Sequence, residues 1–196
     1  MGFGPIVEGS SPSPPAINIE MNVSGVILAA GKGTRMKSNI PKVLHPVSGK
    51  KLVLYALEVI EDINTKYIVV GHEAEKVIEA VPDSLNVVIQ EEQKGTGHAI
   101  SILLDDKKFA NDTSEYILVL PGDVPMINRD DIKNLIKKVI DSNSSIGFLS
   151  SKVSNPFGYG RVIQQEGQIK IVEEKDCTED ERLINEINSG IYCFEK

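Results

Sequence analysis

Val26-Ile27-Leu28-Ala29-Ala30-Gly31-Lys32-Gly33-Thr34-Arg35-Met36, closely followed by Pro41-Lys42-Val43-Leu44, decides how this chain is read. The apolar run Val26 to Ala30 has the composition of a strand buried on both faces. The glycines after it let backbone N–H groups approach phosphate oxygens, and the cations offset phosphate charge. Gly31 and Gly33 form G-x-G, but Met36 stands where the dinucleotide fingerprint has its third glycine. No G-x-x-x-x-G-K-[ST] run is present either, which argues against a P-loop ATPase. What remains is a strand, G-x-G-T-R and a proline-positioned lysine. Arg35 and Lys42 could meet a nucleoside polyphosphate from two sides, Arg35 with its planar fork. The plainer alternative is a tight strand–helix turn with two solvated cations.

Outward from that stretch, strand and helix signals alternate. Val23 to Ala30 reads as the first strand. Leu52, Tyr55, Ala56, Val59, Ile60 and Ile63 recur at helical spacing. Tyr67 to Gly71, Val87 to Gln90 and Tyr116 to Leu120 read as strands, and Glu73 to Ala80 and Thr96 to Leu104 as helices. Asn128 reads as the cap of a helix through Asp141. This repetition predicts an α/β fold with a three-layer, mostly parallel, Rossmann-like sheet. After Ser144 the pattern turns β-rich: Ile146 to Val153, Gly160 to Gln164, Gln168 to Glu173 and Glu186 to Phe194, with Gln165-Glu166-Gly167 as a hairpin turn. Asp176 to Arg182 reads as a charged, flexible piece.

The 196 residues fit one domain with a real core, and the 41% apolar, 25% charged composition is that of a soluble protein. A net charge of −7 argues against nucleic acid as the main partner. Cys177 and Cys193 lack metal-like spacing and read as reduced thiols of a cytoplasmic protein. No apolar run approaches the roughly 20 residues of a membrane span. Residues 1–20, rich in proline and serine around Gly9 to Pro15, read as a disordered arm or linker, with Met21 as a plausible natural start. The folded domain is then 21–196. Its stop at Lys196, directly after a strand, reads as an incomplete carboxyl terminus.

Three further blocks carry chemistry. In Gln90-Glu91-Glu92-Gln93-Lys94-Gly95-Thr96-Gly97-His98-Ala99, strand-end glutamines can offer the donor and acceptor that a pyrimidine edge requires. His98 reads as a packing or capping residue. In Leu120-Pro121-Gly122-Asp123-Val124-Pro125, Asp123 falls just past a strand, where open α/β sheets bind ligands and a carboxylate can hold Mg²⁺. Phe157 to Val162, Val172 to Asp176 and Asn185 to Gly190 make up the last. There, Glu173 and Asn188 place a carboxylate and an amide at strand ends, where both can hydrogen-bond a polar ligand. Glu174 and Asp176 read as solvated. Taken singly, each of these residues is ordinary surface polarity; their order and spacing are the signal.

L-A-A-G-K-G-T-R-M-x₅-P-K-V-L resembles the opening of the sugar-1-phosphate nucleotidyltransferases. It looks most like the uridylyltransferase domain of the bifunctional N-acetylglucosamine-1-phosphate enzyme. The likeness runs from about Val26 to the end, in five separated blocks. It implies that the backbone of Leu28, Ala29, Ala30 and Gly31, with Gly33, Gln90, Gln93, Gly95 and Thr96, binds the nucleotide. Arg35 would hold outgoing pyrophosphate, Lys42 would neutralise the phosphates and Asp123 would ligate Mg²⁺. Gly160, Glu173 and Asn188 would bind the sugar phosphate. The implied reaction joins UTP and N-acetylglucosamine-1-phosphate to give UDP-N-acetylglucosamine and pyrophosphate, for cell-wall or lipopolysaccharide precursor synthesis. No nucleic acid or membrane partner is implied. The resemblance also implies a second metal-ligating asparagine and a trimerising β-helical acetyltransferase domain beyond Lys196. Two alternatives stay open: a nucleotidyltransferase for another base or sugar, and a non-catalytic nucleotide-sugar-binding module.

Overall fold

The computed structural model describes residues 23–33, 36, 38, 40–165 and 167–196. The expected arm, residues 1–20, lies outside the described residues, as do Met21, Thr34, Arg35 and Glu166. In chain order the strands are β1 (Val23–Ala29), β2 (Pro46–Val47), β3 (Lys50–Lys51), β4 (Thr65–Val70), β5 (Asn86–Ile89) and β6 (Tyr116–Pro121). They continue as β7 (Ile146–Lys152), β8 (Arg161–Gln165), β9 (Gln168–Val172) and β10 (Glu186–Glu195). The helices are α1 (Leu52–Val59), α2 (Ala74–Ile78), α3 (Thr96–Asp105), α4 (Lys107–Ala110), α5 (Arg129–Asp141) and α6 (Glu179–Arg182).

Strands β5, β4, β1 and β6 run parallel in that order, with Val26 opposite Tyr67 on one side and Val119 on the other. Alternation along each strand sends side chains to both faces, so both must be covered. Ile27, Ile68, Val70, Leu118 and Leu120 pack under Val53 and Ala56 of α1, Val77 of α2, and Ile132, Ile136 and Val139 of α5. Val26, Val69, Val88, Ile117 and Val119 pack under Ala99 and Leu103 of α3 and Phe109 of α4. Tyr67 meets Phe109 edge-to-face with ring centres 5.1 Å apart. Each fully buried aliphatic side chain contributes about 1.5–3 kcal/mol, and two apolar layers hold the parallel sheet between its helices. The result is a three-layer α/β fold.

The second half is antiparallel. β10 pairs with β6 on one side and with β7 on the other, and through Ile187 and Arg161 it receives the β8–β9 hairpin. A register shift against β7 falls between Asn188 and Tyr192. Asn128 caps α5 as expected, its side-chain oxygen accepting from Asp130 N–H at 2.8 Å.

Three local expectations change. Helix α1 stops at Val59; Ile60 and Ile63 remain buried but sit in turns. The β2–β3 hairpin was not legible, because two residues per strand give no periodicity; Ser48 (φ 49°) and Gly49 (φ 81°) make its turn. The segment read as charged and flexible is a 3-10 turn (Glu174–Asp176) followed by α6. A capping box closes α6: Thr178 Oγ1 accepts from Glu181 N–H at 3.3 Å and Glu181 Oε2 accepts from Thr178 N–H at 2.8 Å. Both cysteines are buried free thiols, and burial pushes Cys193 up to about 12. Among the described residues, no helix is long and apolar enough to cross a membrane.

Candidate active site

The parallel strands β1, β4, β5 and β6 all end at one edge of the sheet, so the segments after them converge there. They form a cleft of about 720 Å³, with Glu173 after β9 and Asn188 and Tyr192 of β10 on its far side.

Beside the central strands, the backbone N–H of Gly122 donates to Leu28 O at 2.9 Å, continuing the β1–β6 pairing past Pro121. Asp123 is thereby delivered to the cleft. Its Oδ2 is ion-paired with Lys42 Nζ, which the turn Lys42–Leu44 presents after Pro41. Both side chains keep solvent access, 42% for Lys42 and 27% for Asp123, so the pair is available to a ligand and adds little to stability. Gly33 lies over the lysine stem at φ 59°; a Cβ there would come within 2.7 Å of Lys42 Cβ. Only glycine satisfies both the backbone angle and the approach.

The end of the cleft beside β5, at the outer side of the parallel strands, is built from glutamines. Gln90 is 2% exposed, and its backbone N–H donates to Val70 O at 2.7 Å. Its Nε2 donates to Gly95 O at 3.3 Å and is hydrogen-bonded to His98 Nδ1 at 3.0 Å. Gln93 Nε2 donates to the carbonyls of Gln90 and Glu91, each at 3.2 Å. The loop therefore folds around its own amides, and both side chains retain an acceptor oxygen. Gly71 allows this: a Cβ there would fall 2.9 Å from Gln90 O and from Gln93 Nε2.

At the far end Asn188 Nδ2 donates to Tyr192 Oη at 2.6 Å, while Asn188 Oδ1 accepts from Gly190 N–H at 3.1 Å. Burial raises the Tyr192 pKa, the Glu173 charge adds to that, and the bond from Asn188 opposes it. The phenol is therefore protonated at neutral pH.

Leu28, Ala30, Gly31, Gly33, Lys42, Gln90, Gln93, Gly95, Thr96, Asp123, Glu173 and Asn188 all line this one cleft. Ala29 does not, since its side chain is buried in the opposite layer beneath α1. Gly160 lies behind Glu173, where a Cβ would stand 3.3 Å from Glu173 Oε1. Arg35 is outside the described residues. Sequence reasoning missed Tyr192, Lys32 and Gly71. Tyr192 was findable, because Asn188, Gly190 and Tyr192 recur with period two and line the same cleft. His98, read as packing, hydrogen-bonds the central glutamine instead. Glu174, read as solvated, accepts from Gly158 N–H at 2.9 Å and from Arg161 Nη2 at 2.7 Å.

The model of the MobA-like NTP transferase domain matches residues 25–168, from β1 to the start of β9. The chain belongs to that family. As a MobA-like NTP transferase it carries the glycine-loop and glutamine walls of the cleft within the matched stretch, while Glu173, Asn188 and Tyr192 lie past it. The bifunctional protein GlmU of Clostridioides difficile (strain 630) is 43% identical over 178 residues, covering 89% of this chain and 38% of the relative. The bifunctional protein GlmU of Prochlorococcus marinus (strain NATL2A) is 46% identical over 174 residues, covering 86% and 38%. The chain thus spans about 38% of the length of these curated relatives, and the resemblance read from its motifs is borne out. A Bacillus anthracis crystal structure, described as a candidate glucose-1-phosphate thymidylyltransferase in complex with a sucrose, superposes with a TM-score of 0.71 at 20% identity. It covers 88% of this chain and 71% of that one, which shows the shared Rossmann-like nucleotidyltransferase fold.

Proposed function

We propose that this domain transfers a uridylyl group from UTP to N-acetylglucosamine-1-phosphate, giving UDP-N-acetylglucosamine and pyrophosphate. One observation carries the reading: along the sheet edge a single cleft holds the glutamines after β5 at one end, the Lys42–Asp123 pair beside β1 and β6 in the middle, and Glu173, Asn188 and Tyr192 toward β10 at the other end. That is the order base, phosphates and sugar require. The 41–46% identity to GlmU proteins over most of this chain supports the choice of sugar and base.

In the reaction a phosphate oxygen of the sugar phosphate forms a bond to the α-phosphorus of UTP. The α–β bridging bond breaks, and pyrophosphate leaves with the electron pair. No protein nucleophile takes part, so the chain contributes positioning and charge. Lys42 Nζ stabilises the charge on the phosphate oxygens. The acceptor oxygens of Gln90 and Gln93 suit a base edge that carries an N–H donor. Glu173 and Asn188 receive the sugar hydroxyls and acetamido group.

A Mg²⁺ ion fits Asp123: the carboxylate opens on the cleft and already accommodates a positive charge, that of Lys42. Held there by this oxygen donor and substrate phosphates, it would supply further neutralisation of phosphate charge. Among the described residues no cluster of three or more His, Cys, Asp or Glu could hold a metal, so Asp123 would share the ion with substrate. Cytoplasmic localisation and a role in cell-wall precursor supply follow from the same reading.

The test is pyrophosphate release with UTP and Mg²⁺, comparing N-acetylglucosamine-1-phosphate with glucose-1-phosphate. Release selective for the N-acetyl sugar is expected. Equal release from both sugars, or release only with another nucleotide, would overturn the assignment.

A further inference from the structure

Arg161 is the largest fully buried side chain of the chain's described residues, at 1% exposure, and no substrate-facing role accounts for it. A buried guanidinium must be paired and hydrogen-bonded to be tolerated. Its Nη1 donates to Tyr159 O at 2.5 Å; its Nη2 donates to Glu174 Oε2 at 2.7 Å and to Arg182 O at 3.5 Å. The Nε is buried without a hydrogen-bond partner among the described residues. Glu174 Oε2 also accepts from Gly158 N–H, and Glu174 Oε1 faces Arg182 Nε at 3.7 Å. One ion pair, buried on the arginine side and partly exposed at Glu174, thus ties together the 158–160 loop, the 173–176 turn and the end of α6.

These are the segments that shape the sugar end of the cleft. Arg161 follows Gly160, whose carbonyl accepts from Asn188 N–H at 2.9 Å and whose missing Cβ makes room for Glu173 Oε1. Glu174 follows Glu173. Arg161 is also the residue of β8 opposite Ile187, next to Asn188. We infer that the Arg161–Glu174 pair is a positioning device for sugar recognition, setting the separation of Glu173 and Asn188 without touching the ligand. The inference rests on the uridylyltransferase reading of the same cleft. An apolar pair of similar volume would cost no more desolvation, so stability alone does not explain an arginine here. Fixed spacing between two recognition groups does.

The decisive comparison is calorimetric binding of UDP and of UDP-N-acetylglucosamine to the wild-type chain, Glu174→Gln and Glu174→Ala, with folding followed by circular dichroism. Glu174→Gln keeps an acceptor for Gly158 and Arg161; Glu174→Ala removes it. Expected is a loss of about tenfold in the preference for the sugar nucleotide over UDP in Glu174→Ala, about 1.4 kcal/mol, with UDP affinity unchanged and partial recovery in Glu174→Gln. A merely structural pair would lower both affinities together or neither, and either pattern would overturn the inference. Should Glu174→Ala not fold, Arg161→Lys decides, since it keeps the charge but loses the fork that spans Tyr159 O and Glu174: an unaltered preference in a folded Arg161→Lys rejects the device. A wild-type chain that binds UDP-N-acetylglucosamine no better than UDP would instead refute the uridylyltransferase reading, and the inference with it.

Discussion

Strand β6 has an aspartate near each end, and the two are put to opposite uses. Asp123, just past its carboxyl end, faces the cleft, ion-paired with Lys42 and with solvent access beside it. Asp112, ahead of its amino end, is saturated. Its Oδ2 accepts from Ser24 Oγ, and its Oδ1 accepts from Ser114 N–H at 2.9 Å and Ser114 Oγ at 2.8 Å. Tyr67 also hydrogen-bonds its carboxylate. Burial pushes the Asp112 pKa upward, but the bonds from Ser24, Ser114 and Tyr67 outweigh it and hold the carboxyl below its ordinary value. The same side chain is thus a binding group where its lone pairs are left open and a fastening where they are all taken.

The contrast predicts a separation of effects. The largest is on catalysis: Lys42→Ala or Asp123→Asn should raise the barrier by about 2–4 kcal/mol, with melting temperature nearly unchanged, in steady-state assays beside thermal unfolding. Near-wild-type turnover in either would remove that residue from the chemistry. Next, Asp112→Ala should cost about 1–3 kcal/mol of stability in urea unfolding while leaving kcat alone, since it strands the donors of Ser24 and Ser114. Loss of turnover in a fully folded Asp112→Ala would erase the distinction between the two edges.

A pH series sharpens it. Because the folded Asp112 pKa is depressed, its stabilising effect is fully present above the unfolded aspartate value and is lost as pH falls through the folded one. The stability gap between wild type and Asp112→Asn should therefore shrink as pH drops below about 4. A gap that is flat or widens would contradict the pairing. The smallest effect expected is that of Asn128→Ala, about 1 kcal/mol of stability from the lost α5 cap and no change in KM. It would show that residues on the cleft side can be purely structural too.

The parallel half was legible because its signals are local. Buried runs such as Tyr116 to Leu120, the glycine turn after β1 and the Asn128 cap each declare themselves within a few residues. The cleft residues were legible for the same reason, as each lies in a short block at a strand end. What escaped was non-local. Arg161 and Glu174 look like surface charges until the β8–β9 hairpin folds them together, and Gly71 is an unremarkable glycine until the Gln90 and Gln93 amides close over it. Thr178-Glu179-Asp180-Glu181 carried a capping-box signature that its charge density obscured.

On the proposed function, one cleft at the carboxyl edge of the sheet receives base, phosphates and sugar in that order, and a crystal structure with UDP-N-acetylglucosamine is the sharpest test. Expected are uracil against Gln90 and Gln93, phosphates at Lys42 and the N-acetyl sugar between Glu173 and Asn188. A nucleotide bound with its sugar away from Glu173 and Asn188, or at any other surface of the chain, would contradict it.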